Sequence, residues 1–246
     1  MKYAKNFYFI VLLSVLCVAC SKPAKITSKT GELIAVDSTW DALVDTNFTN
    51  LLAPYKEAFN AEMNDTIGYA LVDLPVGLPE SPMLNWASDV LLETAKKLYK
   101  KPVDCAITNR GGIRFEWYKG PLTMKNIYEV FPFENRLVVL TLEGKDIIAL
   151  CDSIARQGGQ GVSGLRMKIE NKKAKDVTLN GKKIVPEAVY TVATNDYLSY
   201  GNDYLTPLAN YLEIWDSQTT IRDVFTNYIK EHKEISAKTD GRIVVL

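Results

Sequence analysis

The hexapeptide Asn109 to Arg114 (NRGGIR) sets an always-charged guanidinium beside two glycines at the end of an apolar run, Val103 to Thr108 (VDCAIT). Gly111 and Gly112 remove two side chains there, which frees unusual backbone angles and lets a ligand approach the main chain closely. Arg114, with its planar fork of donors, suits a phosphate brought to that point. The plainer reading is a tight Gly-Gly turn followed by a solvated arginine. Two later segments favour the ligand. FPFEN (Phe131 to Asn135) and NDYLSYGNDY (Asn195 to Tyr204) each combine aromatic rings with carboxamides or carboxylates. Such rings can sandwich a base, at about 1–3 kcal/mol per stacked base in nucleic-acid systems, and Asp203 can accept hydrogen bonds from ribose hydroxyls. Taken singly, each ring would count as core; their company is what describes a nucleoside site.

These segments belong to a longer ordered series: PESPMLNWASDVL (Pro79 to Leu91), NRGGIR, GPLTMKNIYEVFPFENRLVVLTLEGKDI (Gly120 to Ile147), GVSGLR (Gly161 to Arg166) and YTVATNDYLSYGNDY (Tyr190 to Tyr204). In that order they resemble the C-terminal, substrate-binding domain of the 5'-nucleotidases, a family that includes bacterial UDP-sugar hydrolases and the vertebrate ecto-enzyme. The resemblance runs from roughly Phe48 to Leu246, and a series of this kind is far more specific than a lone glycine signature. It implies that Asn109, Gly111, Gly112 and Arg114 lie against the phosphate and ribose of a nucleotide. It also implies that Phe133 and Tyr197 form the base sandwich, that Asn135 addresses the base edge, that Gly164 lies near the base, and that Asp203 binds the ribose. Tyrosine stands at 197 where phenylalanine is more usual, a change that keeps the stacking face. Family members often carry phosphate-holding arginines just ahead of the segment matching Glu80 to Asn85. Here Gly77, Leu78 and Pro79 precede it, so one phosphate clamp is missing or supplied elsewhere.

The family resemblance further implies a preceding metallophosphatase domain whose Asp, His and Asn side chains hold two metal ions and activate the attacking water. Nothing in this sequence matches those ligands. Its one histidine, His232, lies in the charged run KEHKE and reads as a solvated helix residue, since a histidine base needs a positioned partner. Ser163 in GVSGLR lacks the second spaced glycine and the histidine of a nucleophile elbow. Cys105 and Cys151 fall on apolar faces and read as core, with a disulfide between them left open. The expectation is therefore no catalytic residue and no cofactor in this chain, divalent ions being held by a partner metallophosphatase.

The composition, 47% apolar and 24% charged over 246 residues, suits one globular domain plus a leader. With 29 basic and 29 acidic side chains the net charge is zero, against a broad nucleic-acid surface. A mononucleotide or nucleoside is the expected partner, not a polymer. Met1 to Asn6 is basic and Phe7 to Ala19 (FYFIVLLSVLCVA) is apolar but too short to span a bilayer comfortably, the pattern of a signal peptide over residues 1–19. Cys20 then resembles the lipidated first residue of a lipoprotein, although Cys17 occupies a position where an aliphatic residue is usual. This places the protein outside the cytoplasm, in a bacterial periplasm or cell envelope, held to the membrane by a lipid anchor. Residues 20–45 read as a tether, or with ELIAV as a first edge strand, and residues 46–246 as the domain.

The elements that must position these side chains alternate. Helical spacing appears over Asn50 to Met63, Pro82 to Tyr99, Thr123 to Val130, Lys145 to Gln157 and Thr219 to Lys233. Strands are expected at Thr66 to Asp73, Val103 to Thr108, Arg136 to Leu142 and Arg242 to Leu246, with a hairpin turn at Asn180-Gly181. The glycine-bearing stretches Gly158 to Gly164 and around Gly201 read as rim loops. The fold class is α/β, with mixed α+β layers in place of a regular doubly wound sheet.

Overall fold

The computed structural model describes residues 26–39 and 44–246. The expected signal peptide, the expected lipidation at Cys20 and residues 20–25 and 40–43 of the expected tether lie outside the described residues. Residues 26–36 carry no regular structure and are exposed, so ELIAV does not form the expected edge strand.

Helix α1 (Thr46–Met63) leaves Phe48, Leu51, Tyr55 and Phe59 exposed at helical spacing, and only its last residue, Met63, is buried. Strand β1 (Thr66–Ala70) ends three residues earlier than expected, because bends at Leu71 and Val72 take the chain out of the sheet. Helix α2 (Pro82–Tyr99) begins where the ESP turn predicts: Ser81 Oγ accepts from Leu84 N at 3.3 Å and Pro82 occupies the first turn, where its missing N–H costs nothing.

The remaining elements, in chain order, are β2 (Cys105–Thr108), a 3-10 turn (Arg110–Gly112), β3 (Gly120–Thr123), α3 (Met124–Val130), β4 (Arg136–Glu143), α4 (Gly144–Arg156), β5 (Gly161–Ser163), β6 (Leu165–Glu170), β7 (Lys173–Leu179), β8 (Val189–Asn195), the short α5 (Asp196–Ser199), a second 3-10 turn (Thr206–Asn210), β9 (Glu213–Thr220), α6 (Ile221–His232), β10 (Glu234–Ile235) and β11 (Ile243–Val245). The glycine-rich stretch before Gly164 is thus partly strand. β5 pairs with β2, and a Cβ on Gly161 would lie 2.5 Å from Thr108 Cγ2. Asn180 and Gly181 both take positive φ, as a tight two-residue turn requires, yet the turn closes only a single bridge between Leu179 and Lys182.

A five-stranded sheet, ordered β5-β2-β8-β4-β9, forms the middle layer. β2 and β8 run parallel while the other neighbours are antiparallel, so the sheet is mixed as expected. Side chains alternate between its faces. Leu137 and Val139 of β4 join Trp86, Leu91, Phe225 and Ile229 of α2 and α6 on one side. Val138, Leu140 and Leu142 join Ile147, Leu150 and Ile154 of α4 on the other. Both faces are therefore covered, which explains the near-continuous apolar run in β4. Cys105 and Cys151 meet in the α4 layer as buried free thiols. Burial pushes both up, Cys151 to about 12, so they pack as small hydrophobes.

Two smaller sheets, β10-β1-β3 and β11-β6-β7, flank this layer. Arg242 fastens the chain end: its guanidinium donates to both oxygens of Asp89 on α2, at 2.8 and 3.0 Å, and to the Val162 carbonyl at 2.7 Å. His232 ends α6 on the surface, stacked on Tyr228 at 3.9 Å.

Candidate functional site

Four segments from different elements converge at one end of the large sheet. Thr108 ends β2, and Asn109 leads into the 3-10 turn, which is closed by Gly112 N donating to Asn109 O at 3.1 Å. Neither Gly111 nor Gly112 has a positive φ, so the expectation of unusual backbone angles is corrected. Space is the reason for glycine here. A Cβ on Gly112 would lie 2.8 Å from Asn109 Oδ1, and one on Gly111 would lie 3.2 Å from Asp203 Oδ2. Arg114 is tied in place by its N–H to Val130 O at the end of α3, at 3.0 Å. Its guanidinium donates to Gly111 O and lies 6.0 Å from the Phe133 ring centre.

The second segment is the loop between α3 and β4. Phe131 points into the core against Phe225 at 4.2 Å, while Phe133, two residues on, remains 48% exposed. Asn135 Nδ2 donates to Asp196 Oδ1 at 3.0 Å. Because a carboxylate only accepts, this contact fixes which way the amide faces and leaves the Asn135 carbonyl oxygen for another donor. The third and fourth segments follow β8. Asn195 caps α5 by accepting from Leu198 N at 2.8 Å, which orients Tyr197 on that helix. Beyond Gly201 the chain turns through Asp203 and Tyr204, both in the left-handed region at φ 52 and 57. Such a conformation is disfavoured for residues with a Cβ and is tolerated best by Asp and Asn.

Asn109, buried with 4% exposure, donates through Nδ2 to Asp203 Oδ2 at 2.5 Å. The Tyr197 hydroxyl donates to Asp203 Oδ1 at 3.0 Å. Asp203 raises the Tyr197 phenol above its ordinary 10.0 by accepting its proton in that bond. The raised value means that this contact is complete below the ordinary tyrosine range and is lost only as pH climbs through the folded-state titration.

These residues line one cavity of about 290 Å³: Asn109, Gly111, Gly112, Arg114, Phe133, Asn135, Tyr197 and Asp203, with Thr108, Ile113, Phe131, Asn195 and Ile221. Gly164 is the exception. It lies on a separate cavity of about 280 Å³ beside Asp89, Arg166, Asp240 and Arg242, where both arginines are paired with carboxylates. Its φ of +76 and the Asp104 carbonyl, 2.5 Å from where a Cβ would be, account for the glycine. The segment Glu80 to Asn85 also stays out of the main cavity. Glu80 accepts from Gly241 N at 2.7 Å and Asn85 donates to Lys238 O at 3.0 Å, so this segment holds the C-terminal turn.

Sequence reasoning does not find two residues that build the site. Arg222, 7% exposed in the first turn of α6, donates to Phe131 O at 3.1 Å, Pro132 O at 2.9 Å and Glu134 Oε1 at 2.6 Å. It also lies 4.1 Å from the centre of the Tyr128 ring, and so grips the loop that presents Phe133. A cation in a helix's first turn opposes the helix dipole, and that mismatch is the signal that could have revealed it. Gln160 Oε1 accepts from Arg110 N at 2.7 Å and holds the 3-10 turn from behind.

Chemically, the cavity offers two exposed rings at 48% and 41%, a carboxylate held by neutral donors, an oriented amide oxygen and a guanidinium at the rim. Among the described residues no group of three or more His, Cys, Asp or Glu converges to hold a metal ion. The contact distance at Gly112 gives a sharp expectation: Gly112→Ala pushes Asn109 off Asp203. Its cost in stability is expected at about 1–3 kcal/mol, the range for overpacking, with ligand affinity lost in the same variant; urea unfolding and titration calorimetry measure the two.

The family model described as "5'-nucleotidase, C-terminal domain" matches residues 66–210. Among curated proteins, the chain is 27% identical over 197 residues to Endonuclease YhcR of Bacillus subtilis, across 76% of this chain and 16% of that protein. It is 29% identical over 214 residues to the Trifunctional nucleotide phosphoesterase protein YfkN of the same organism, across 78% of this chain and 14% of that one. The chain thus spans less than a fifth of either relative's length. The solved 5'-nucleotidase precursor from Thermus thermophilus superposes with a TM-score of 0.70 at 31% identity, over 82% of this chain and 43% of that one. The family model covers more than half of the 246 residues, including every residue of the main cavity except Ile221, and the chain belongs to the 5'-nucleotidase C-terminal domain family.

Proposed function

We propose that this chain binds the nucleoside part of a nucleotide and supplies substrate recognition to a separate metallophosphatase that hydrolyses the phosphate ester in nucleotide catabolism. The observation that carries the reading is the convergence of Phe133, Tyr197, Asp203 and Asn109 on one cavity from four segments of the chain. In this reading the base stacks between Phe133 and Tyr197, its edge meets the Asn135 carbonyl oxygen, and the sugar hydroxyls meet Asp203. Arg114 at the rim faces the phosphate.

The sequence contains a single histidine and no set of residues matching a two-metal hydrolytic centre, which supports a partner that brings the metal ions and the activated water. The exposed apolar stripe on α1 supports the same reading, as a surface in want of cover. The expected leader and Cys20 lipidation, proposed with it, put both proteins outside the cytoplasm at a membrane surface. Zero net charge and the main cavity's volume of about 290 Å³ favour a mononucleotide over a polymer. The expected outcome of mixing the purified protein with a metallophosphatase that lacks this domain is a rise in 5'-nucleotidase rate. No rise, with nucleoside binding intact, overturns the partner role.

A second reading, capture of nucleosides or nucleotide sugars without hydrolysis, is favoured by one observation: Gly77, Leu78 and Pro79 stand where a second phosphate clamp is expected. Affinity for adenosine equal to that for AMP, together with no rate gain on mixing, selects it.

A further inference from the structure

The tyrosine at 197 does more than stack. A phenylalanine would offer the same ring face, so the hydroxyl at its far end calls for its own explanation. It donates to Asp203 Oδ1 at 3.0 Å, while Asn109 Nδ2 takes the other oxygen at 2.5 Å. No lysine or arginine forms an ion pair with Asp203 among the described residues, and the carboxylate is held by these two neutral donors. Each oxygen of a carboxylate accepts two hydrogen bonds. With a donor already on each oxygen, the group is held against rotation. Each oxygen keeps the capacity to accept one more hydrogen bond, and Asp203 lines the cavity.

We propose that the Tyr197 hydroxyl is a positioning group that locks the Asp203 carboxylate to receive two hydroxyls on neighbouring carbons, making the cavity selective for a cis-diol sugar over its deoxy counterparts. The inference rests on the nucleoside reading of the cavity given above. Its physical basis is preorganisation: ordering the carboxylate before binding removes that cost from the binding step. A site built to hydrogen-bond hydroxyls also discriminates against ligands that lack them, because its own polar groups are then left short of partners. The left-handed backbone at Asp203 and Tyr204 fits the same account, since a disfavoured conformation persists where surrounding contacts over-determine it.

The test is titration calorimetry of the protein and its Tyr197→Phe variant with adenosine and with 2',3'-dideoxyadenosine, which carries the same base without the diol. The variant is expected to lose about tenfold in adenosine affinity, about 1.4 kcal/mol, and to keep its dideoxyadenosine affinity. Equal losses for both ligands would overturn the inference and leave the nucleoside reading standing, because the hydroxyl would then serve the fold or the base. No loss for either ligand would overturn it as well. Binding of neither ligand by the folded wild-type protein would overturn the nucleoside reading and this inference with it. A ligand-free measurement checks the contact itself: the Tyr197 ring-carbon resonance titrates above ordinary tyrosine in the wild type and returns toward it in Asp203→Asn. An unchanged titration in that variant would overturn the lock.

Discussion

Asp203→Ala is expected to reduce nucleoside affinity by about a hundredfold, since two hydrogen bonds to a charged group at about 1.5 kcal/mol each sum to about 3 kcal/mol. Two consequences separate this substitution from others in the cavity. First, it strands Asn109 Nδ2, whose residue is 4% exposed and which donates to Asp203 Oδ2, so a buried donor is left without its partner. Second, alanine at φ 52 is strained by about 1–2 kcal/mol, so the variant also loses stability. Asp203→Asn separates the two effects, because asparagine tolerates the left-handed region and has the same shape. It is expected to keep the fold and still lose most of the affinity. Calorimetry beside urea unfolding reads both quantities. Full affinity in Asp203→Asn would show that the carboxylate's charge is not used.

Arg222→Leu is expected to cost about 3 kcal/mol of stability, at the lower end of what removing one partner of a buried charged network costs. The low end applies because the Glu134 side chain is 74% exposed and can be rehydrated. The carbonyls of Phe131 and Pro132 are the larger loss, since they face the guanidinium directly. Freed of that grip, the loop presents Phe133 in many orientations, and about tenfold of affinity should disappear with it, the cost of ordering one loop and side chain on binding. Arg222→Lys should not restore either quantity, because one ammonium cannot reproduce the planar fork that reaches three carbonyls and a carboxylate. A loss below about 1 kcal/mol, typical of a surface ion pair, would contradict the role assigned to Arg222.

Asp203 and Arg222 fall on opposite sides of what can be read in the sequence. Asp203 is legible, as are Asn109, Arg114, Phe133, Asn135 and Tyr197, because each carries a group whose chemistry is visible in the residue type and the segments occur in a recognisable order. Their convergence on one cavity follows from β2, β8 and β4 being neighbours in one sheet, with β2 and β8 ending and the antiparallel β4 beginning at the same end of it. Arg222 and Gln160 are not legible. Each satisfies the backbone of a distant segment, the Phe131 loop and the Arg110 N–H; at Arg222 local sequence shows only a cation in the first turn of a helix, and in neither case does it say which segment's main chain the side chain serves. Gly164 lies away from the main cavity for a related reason. A glycine shows only that space is short, and at 164 the short space is against the Asp104 carbonyl, not a ligand. Likewise, Gly111 and Gly112 look like conformational devices in the sequence and are clearance for Asp203 and Asn109 in the structure. Helix ends are legible where caps fix them, as at Ser81 and Thr123. The end of β1 is not, because Leu71 and Val72 continue an apolar pattern after the strand has left the sheet.

Calorimetric titration of the folded protein with adenosine, AMP and UDP-glucose, repeated with Phe133→Ala, decides whether the cavity is a nucleoside site. Saturable binding at one site per chain is expected, as is its loss in the variant, whose exposed ring has no part in the core. Absence of binding by a wild-type protein shown to be folded by circular dichroism, or undiminished binding by Phe133→Ala, would contradict the nucleoside reading.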